Sequence, residues 1–123
     1  MSTFGSLRSI PPRRIWEGAL ARPVDGERVT VAVVELAPGV TVPEHHHEHE
    51  QVGFVLQGWL IFTVGQETAR LGPGDTYRIP SRVPHRAVAG EEGAVVADVF
   101  APVREDWRGL ETAPASPPRW PPA

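Results

Sequence analysis

The chain lacks two residue types that carry much of the chemistry of other small proteins. None of its 123 residues is cysteine, so disulfides, thiolate nucleophiles and thiolate metal ligands are excluded. All 12 of its Lys+Arg positions are arginine, which excludes catalysis through a Schiff base on lysine. Neither a G-x-S-x-G nucleophile motif nor a glycine-rich phosphate loop is present. Histidine, carboxylates, tyrosine and arginine remain for catalysis, with or without a metal ion.

Charge and hydropathy set further limits. The formal net charge is -3 at pH 7, whereas phosphate binding needs a basic patch, so no nucleic acid partner is expected. No apolar run approaches the about 20 residues of a membrane span, and residues 1–14 contain no apolar signal-peptide core. With 41% hydrophobic residues the chain can form one packed core. The sequence therefore predicts a cytoplasmic protein of one domain without a membrane partner.

Short apolar runs between turn residues predict an all-β fold. The clearest run is residues 29–36 (VTVAVVEL), which is rich in β-branched side chains. Further strands are predicted at residues 40–47, 51–57, 59–64, 67–71, 75–79, 85–89 and 94–100. Only residues 104–110 suggest a helical turn, and the connections are too short for crossover helices. We therefore expect antiparallel strands in a sandwich or barrel.

The chain divides into three segments by composition. Residues 1–28 predict an N-terminal arm with a first short strand near Ile15, residues 29–106 carry most strand runs, and residues 107–123 form a Pro-rich tail. The tail is typical of polyproline II or disorder. We expect it to dock with Trp120 as anchor, a neighbouring subunit being one candidate surface. The two terminal arms would cover open sheet edges across a two-fold axis, which predicts a homodimer.

Histidine is concentrated in two segments. Residues 44–50 contain four histidines, and His45 and His47 are two apart, so both would point to one face of a strand. His85 follows a Val-Pro pair beside an apolar strand and would complete a metal site, because histidine is the commonest protein ligand for such ions. A solvated loop that binds metal only loosely is the alternative for the first segment. Such a loop predicts no partner like His85, so the metal site is favoured.

The two segments resemble the two motifs of the cupin superfamily. The first motif, G-x5-H-x-H-x3,4-E-x6-G, is matched with glutamine in place of the usual glutamate, and the second, G-x5-P-x-G-x2-H-x3-N, with two replacements. The matching residues are Gly39, His45, His47, Gln51 and Gly58, then Gly74, Pro80 and His85; Arg82 replaces a glycine and Ala89 an asparagine. The resemblance spans about residues 29–106 and implies a single-domain jelly-roll barrel, also called a double-stranded β-helix.

The glutamine makes the chain most similar to the small cupins of pectin and alginate breakdown, which convert 4,5-unsaturated uronates into open-chain keto acids. Those proteins bind a metal through three histidines and one glutamine, and they carry an acid and a phenylalanine on the last strand, followed by an arginine. The resemblance implies one divalent transition metal ion per chain, with Ni, Zn, Fe, Mn and Cu all open. The implied ligands are His45, His47, Gln51 and His85, and the other matching residues are Asp98, Phe100 and Arg104.

Three of these residues have a second interpretation. Gln51 is either a metal ligand or a partner in the strand hydrogen bonds. Asp98 interrupts an apolar strand, where a carboxylate is costly unless it is paired or used. It is either a general acid/base or the partner of an arginine, and Arg104 either binds a substrate carboxylate or lies solvated on the surface. The arginines considered as partners of Asp98 are Arg78, Arg86 and Arg104.

The remaining candidates are assigned by residue type and position. Phe100 is expected in the pocket wall, and Tyr77 and Trp59 are candidates for substrate contact, with core packing as the alternative for both. His46 is expected to face solvent, because it alternates with His45 and His47 along a strand. His49 is expected near the metal site or exposed.

These residues favour one functional hypothesis and leave three others open. A divalent ion with neutral ligands is a good Lewis acid toward an anionic oxygen substrate. The leading hypothesis is a metal-dependent lyase or isomerase of a small sugar acid or keto acid, in which Arg104 holds the carboxylate and Asp98 moves a proton. The alternatives are a Fe, Mn or Cu dioxygenase, a polyketide-cyclase-like protein and a non-enzymatic ligand-binding protein. The expected partner is a small anionic molecule.

Overall fold

The computed structural model describes residues 2–122, in which eight β-strands and two short 3₁₀ helices are found. All strand pairings in this part of the chain are antiparallel, as expected. The strands are β1 (Arg13–Trp16), β2 (Ala19–Asp25), β3 (Thr30–Leu36), β4 (Thr41–His45), β5 (Glu50–Val64), β6 (Glu67–Leu71), β7 (Thr76–Ile79) and β8 (His85–Ala101). The 3₁₀ helices are Leu7–Ser9 and Glu105–Gly109.

Two long strands, β5 and β8, form the spine of the barrel. They pair along their whole length, from Glu50 opposite Ala101 to Val64 opposite His85. The C-terminal half of β8 continues into β3, β2 and β1, and its N-terminal half pairs with β4. Likewise β5 pairs first with β7 and then with β6. Both long strands therefore pass from one layer of the jelly roll into the other, and the predicted all-β jelly-roll fold is confirmed.

Glycines bend the long strands without ending them. The sequence predicts separate strands on either side of Gly58 and of Gly93, but each pair is one continuous strand in the structure. Register shifts in β5 mark bulges on both sides of Gly58, whose φ is +71°. A Cβ on Gly58 would clash with the carbonyl oxygen of Gly93. A glycine with positive φ suits a bulge as well as a turn, which is why these two positions were predicted wrongly as breaks.

The two terminal segments dock on the barrel. The predicted N-terminal arm contributes two strands, β1 and β2, to the sheet. On the outer face Arg22 pairs with Glu35 (3.3 Å) and donates to the backbone oxygen of Ser116 in the tail (2.9 Å). The backbone N–H of Arg119 donates to Glu35 (3.1 Å), and its guanidinium donates to the backbone of β3. The tail is thus fixed to its own barrel through Arg119, while the expected anchor Trp120 is half-buried.

The sheet of β2, β3, β8 and β5 separates two apolar regions. Its inner face contributes to the core between the layers. On its outer face one exposed valine from each strand stands side by side in register: Val24, Val31, Val99 and Val52. The tail covers the neighbouring part of this face and leaves the four valines exposed. Within residues 2–122 no helix has the length and apolar character to cross a membrane.

Candidate metal centre and cavity

A cavity of about 230 Å³ lies inside the barrel. Its polar lining side chains include three histidines, Gln51, Tyr77, Asp98 and Arg104, and its apolar ones come from both layers and from the two terminal segments. Of the residues predicted to contact substrate, Tyr77 and Phe100 line this cavity. Trp59 is placed elsewhere: it packs against Gly90, with the Arg70 guanidinium 3.9 Å from its ring centroid. The prediction that Trp59 contributes to the pocket is wrong, because the bulge at Gly58 changes which face the following residues occupy.

Three histidines come together at one end of the cavity. His45 ends β4 and lies opposite His85, the first residue of β8. His47 lies in the segment between β4 and β5, and its ring centroid is 4.9 Å from that of His85. One nitrogen from each of the three imidazoles lies within 4.8 Å of the other two. The spacing of His45 and His47 and the distant His85 thus converge as the sequence predicts.

Backbone carbonyls fix the tautomer of all three rings. A carbonyl oxygen only accepts hydrogen bonds, so each Nδ1 that contacts one carries the proton and leaves Nε2 with a lone pair. The contacts are His45 Nδ1 to the Pro43 oxygen (2.8 Å), His47 Nδ1 to the His49 oxygen (2.9 Å) and His85 Nδ1 to the Val83 oxygen (2.9 Å). The Nε2 of His85 is buried without a partner in the described chain. A backbone contact at the far nitrogen is the usual support of a metal-ligating histidine.

Burial also keeps these rings neutral. Loss of solvent lowers the pKa of His45 and of His47, and it lowers the pKa of His85 from 6.5 to about 4. The positive charge of Arg104 lowers all three pKa values further. At neutral pH the rings are therefore in the unprotonated form that binds a metal ion.

Gln51 completes the donor set from β5. Its side-chain oxygen lies 3.1 Å from Nε2 of His47. With the His47 proton on Nδ1, this contact brings together two acceptors, and only a proton or a cation between them makes it favourable. Burial disfavours an imidazolium here because it lowers the pKa of His47. The residues present therefore fit a metal ion, with three neutral imidazoles and one amide oxygen as ligands.

Asp98 lies deeper in the same cavity. The Tyr77 hydroxyl donates a hydrogen bond to its Oδ1. Burial raises the pKa of Asp98 to about 6, while hydrogen bonds from Tyr77 and Gln51 and the charge of Arg104 lower it. No arginine of residues 2–122 forms a salt bridge with it, so the ion pair considered from the sequence is not found. Gly53 makes room for this contact, since a Cβ there would lie 2.7 Å from the Tyr77 oxygen.

Arg104 lines the cavity but already has a carboxylate partner. Its Nε and Nη2 donate to the two oxygens of Asp106 at 3.0 and 2.9 Å. Its guanidinium carbon lies 4.7 Å from the ring centroid of Phe100 and 4.3 Å from that of Trp107. These hydrogen bonds lower the pKa of Asp106. The alternative of a solvated surface arginine is therefore wrong: Arg104 is buried.

Several cavity residues were not predicted. Trp16 lies with its ring centroid 5.0 Å from that of His45, and Trp107 stacks edge-on against Phe100. Both are in segments read as arm and tail, and no local signal links them to the site. His46 is exposed, as expected from its position. His49 stands edge-on to His47, with a ring centroid distance of 5.6 Å.

Comparison with known proteins identifies relatives of this arrangement. A family model described as Cupin domain matches residues 32–100. The pectin degradation protein KdgF of Dickeya dadantii (strain 3937) is 33% identical over 75 residues, which are 60% of this chain and 68% of that protein. The dimethylsulfoniopropionate lyase DddQ of Ruegeria pomeroyi is 36% identical over 94 residues, 75% of this chain but only 43% of that protein.

A solved structure agrees with these matches. The structure of KdgF from Halomonas sp. has a TM-score of 0.78 and 29% identity, and the match covers 86% of this chain and 98% of that one. The family match includes the three histidines, Gln51 and Asp98 but ends before Arg104. The histidine cluster and these relatives together indicate a metal ion.

Proposed function

The chain belongs to the cupin domain family, and we propose that it is a metal-dependent lyase or isomerase that moves a proton beside the carbonyl of a small anionic sugar acid or keto acid. One observation carries this proposal. Three unprotonated histidine nitrogens and a buried carboxyl group that forms no salt bridge within residues 2–122 face the same cavity. Groups with perturbed pKa values in one cavity are the usual mark of a catalytic site.

The ligand set supports an anionic substrate. His45, His47, His85 and Gln51 would hold one divalent ion, with Ni, Zn, Fe, Mn and Cu as candidates. Bound there, the ion would supply Lewis-acid stabilisation of negative charge on a substrate oxygen. None of the four side chains neutralises positive charge, so the site favours a substrate with a carboxylate.

Asp98 is the group that moves the proton. Toward the keto form, its carboxylate takes the proton of the enol hydroxyl as the C=O bond forms, and the electrons of the C=C bond accept that proton at the neighbouring carbon. In a cyclic unsaturated uronate the ring C–O bond breaks first, as the proton of the anomeric hydroxyl passes to the ring oxygen and leaves an aldehyde and the enol. Both steps are isomerisations without oxidant or reductant. The Tyr77 hydroxyl holds Oδ1 and leaves Oδ2 for the substrate. Burial raises the pKa of Asp98, which helps this carboxyl group both accept and return a proton.

Arg104 is the proposed partner of the substrate carboxylate. Two of its donors bind Asp106, whose side chain is 55% exposed. A substrate carboxylate would use the remaining Nη1 or take the place of Asp106. The rings of Phe100 and Trp107 keep the guanidinium in position for either arrangement.

Metal analysis and two proton-transfer assays test this proposal. Protein purified without a His tag should contain stoichiometric metal, and it should convert either 4,5-unsaturated galacturonate or the enol of phenylpyruvate faster than the spontaneous rate. Asp98→Asn should lower turnover at least about a hundredfold and keep the metal. Glu91→Gln, at an exposed position on the same strand, should change neither. Stoichiometric metal with oxygen uptake and no isomerisation would instead support the dioxygenase alternative, and tight ligand binding without turnover a non-enzymatic role.

The homodimer and the cytoplasmic location stay predictions. Because the tail docks on its own barrel, the row of Val24, Val31, Val99 and Val52 is the exposed apolar surface that pairing of two copies would cover. Sedimentation analysis of the unmodified chain and of Val99→Arg tests this, since a dimer that uses this row should dissociate in the variant.

A further inference from the structure

The strand register divides the cavity into a polar end and an apolar floor. At the polar end His45 lies opposite His85 in one layer, and Gln51 lies opposite Phe100 in the other. Asp98, two residues from Phe100 along β8, marks the next level. Beyond this level the buried inward-facing residues of β3, β5 and β8 that line the cavity are apolar, while Arg86, which also lines it, is an exposed residue of β8.

The floor is formed by aliphatic and aromatic side chains from four strands. Val34 pairs with Val96, two residues beyond Asp98, and Leu36 follows at the next inward position of β3. In the opposite layer Phe62 pairs with Ala87. The apolar residues that line this part of the cavity are Val34, Leu36, Val42, Leu60, Phe62, Ala87 and Val96. Their backbone N–H and C=O groups belong to strand pairs, so the floor offers few hydrogen-bond partners.

The terminal segments extend the apolar wall. Ile15 and Trp16 of β1 line the cavity, and so does Leu110 after the second 3₁₀ helix. A hydroxyl group of a bound molecule that faces these walls would lose its contacts with water and gain no partner. Each such hydroxyl should weaken binding about tenfold. A ring substituted with hydroxyls on most of its carbons cannot keep all of them at the polar end.

We propose that the substrate is a 2-oxo carboxylate with an aliphatic or aryl substituent, not a polyhydroxylated sugar acid. This inference rests on the proposed function for the chemistry at the polar end. The carboxylate and the carbonyl lie beside the histidines, Asp98 and Arg104, and the apolar substituent fills the floor against Val34, Val96 and Phe62. A cavity of about 150 Å³ holds benzene, so about 230 Å³ holds roughly nine non-hydrogen atoms. That matches a branched six-carbon oxo acid.

Paired ligands that differ in hydroxylation test the inference by binding alone. The metal-loaded protein is titrated with 4-methyl-2-oxopentanoate, phenylpyruvate, 2-oxo-3-deoxygluconate and 4,5-unsaturated galacturonate. Binding is followed by calorimetry and by the fluorescence of Trp16 and Trp107, which line the cavity. We expect 4-methyl-2-oxopentanoate, whose size matches the cavity, to bind most tightly. Phenylpyruvate has as many non-hydrogen atoms as the two hydroxylated acids, so its comparison with them isolates the effect of the hydroxyls, and we expect it to bind at least tenfold more tightly than they do. We also expect a negative heat-capacity change, because apolar surface is buried.

A valine-to-threonine substitution adds one hydroxyl without changing side-chain volume much. Val96→Thr puts this hydroxyl on the floor of the cavity. It should weaken the binding of the apolar acids about three- to tenfold relative to the binding of the hydroxylated acids. Val88→Thr is the matched control, since Val88 is on the same strand but exposed. It should leave the affinity for the apolar acids and for the hydroxylated acids unchanged. Val34→Ala is a second floor variant that should favour phenylpyruvate over the smaller acid by enlarging the cavity.

Each outcome separates the inference from the proposed function. Tighter binding of the hydroxylated acids, equal binding of all four, or binding of none would overturn the inference, even if the uronate is turned over. So would an unchanged preference in both Val96→Thr and Val34→Ala when thermal unfolding shows the variants folded. Selective binding of the apolar acids without proton transfer would keep the inference and reject the proposed isomerase chemistry.

Discussion

Two buried carboxylates on neighbouring strands of one sheet have opposite surroundings. Glu35 of β3 is 7% exposed and lies on the outer face, where Arg22 (3.3 Å) and the backbone of Arg119 (3.1 Å) contact it. Asp98 of β8 is 5% exposed and lies on the inner face with Tyr77 and Gln51 as its partners. One carboxylate is compensated by a buried cation, and the other is held by neutral groups.

The difference separates a structural charge from a reactive one. A buried carboxylate with a cation and several hydrogen bonds gains little by exchanging its proton, and removal of one partner is strongly destabilising. A buried carboxyl held only by neutral donors keeps a raised pKa and can exchange its proton with a ligand in the adjoining cavity. Burial alone therefore does not indicate catalysis; a buried carboxyl group that lines a cavity and forms no salt bridge does.

The largest expected effect is on activity, at Asp98. Asp98→Asn keeps the shape and the contact with Tyr77 but cannot accept the substrate proton, so turnover should fall about 10²- to 10⁴-fold. Its free energy of unfolding at pH 7 should stay the same or rise, because the costly buried charge is removed. Turnover with either proton-transfer substrate and urea unfolding measure the two effects. A variant that retains wild-type turnover with full metal occupancy would remove Asp98 from the mechanism.

The second effect is on stability, at the outer pair. Arg22→Met leaves Glu35 buried without its cation and should lower the free energy of unfolding by about 3–5 kcal/mol, with turnover per folded molecule unchanged. The double variant Arg22→Met, Glu35→Leu should regain most of this loss, since a well-packed apolar pair can replace a buried ion pair. Urea unfolding of the single and double variants measures both. Equal destabilisation of the two would show that hydrogen bonds to the tail, not the buried charge, dominate.

The third effect is a pH dependence of folding in the metal-free protein. The pKa of Asp98 is about 6 in the folded protein, against 3.8 for an ordinary aspartate in the unfolded chain. As pH rises from 3.8 to 6, this group therefore lowers the free energy of unfolding, by roughly 3 kcal/mol in total. The folded pKa of His85 is about 4 against 6.5, so its contribution is lost as pH falls from 6.5 toward 4. The two oppose each other between pH 4 and 6. Asp98→Asn removes one of them and leaves the other.

Chemical unfolding after chelation, measured from pH 4 to 7, checks this expectation. On acidification from pH 6 to 4 the Asp98→Asn protein should lose more stability than the wild type, because only the protonation of histidines remains. His45, His47 and Asp106 also have lowered pKa values, and they contribute equally to both proteins. Parallel curves for the two proteins would mean that Asp98 is charged in the folded state across this range.

The features of the site that depend on residues close in sequence can be predicted, and those that depend on distant residues cannot. The histidine cluster is encoded locally: an i, i+2 pair on a strand and a third histidine after a Val-Pro turn need only the correct fold to meet. The sequence shows Asp98 as a carboxylate in an apolar strand but does not show its partners. Tyr77 lies on β7 and reaches Asp98 on β8 across the intervening strand β5. The sequence also gives no pattern that predicts the lack of a salt bridge between Asp98 and an arginine in the described part of the chain.

The incorrect and missing predictions have two causes. A glycine with positive φ has the same sequence signal in a turn and in a bulge, so the continuity of β5 and β8 through Gly58 and Gly93 was missed. Trp16 and Leu110 line the cavity because both terminal segments dock on the barrel, which depends on contacts far apart in sequence. The contact of Arg119 in the tail with Glu35, which the sequence does not predict, has the same origin.

The smallest expected effect concerns this tail. Arg119→Ala keeps the backbone donor to Glu35 but removes the guanidinium contacts with the backbone of Leu36 (3.0 Å) and Glu92 (3.3 Å), so it should cost about 1–2 kcal/mol of unfolding free energy. Arg8→Ala, at an exposed position in the first 3₁₀ helix, is the control and should change little. Turnover should be unaffected by either. If Arg119→Ala is as destabilising as Arg22→Met, Glu35 is stabilised mainly by the tail that covers it and not by the buried cation. Glu35 and Asp98 would then differ in how well solvent is excluded from them, and not in charge pairing.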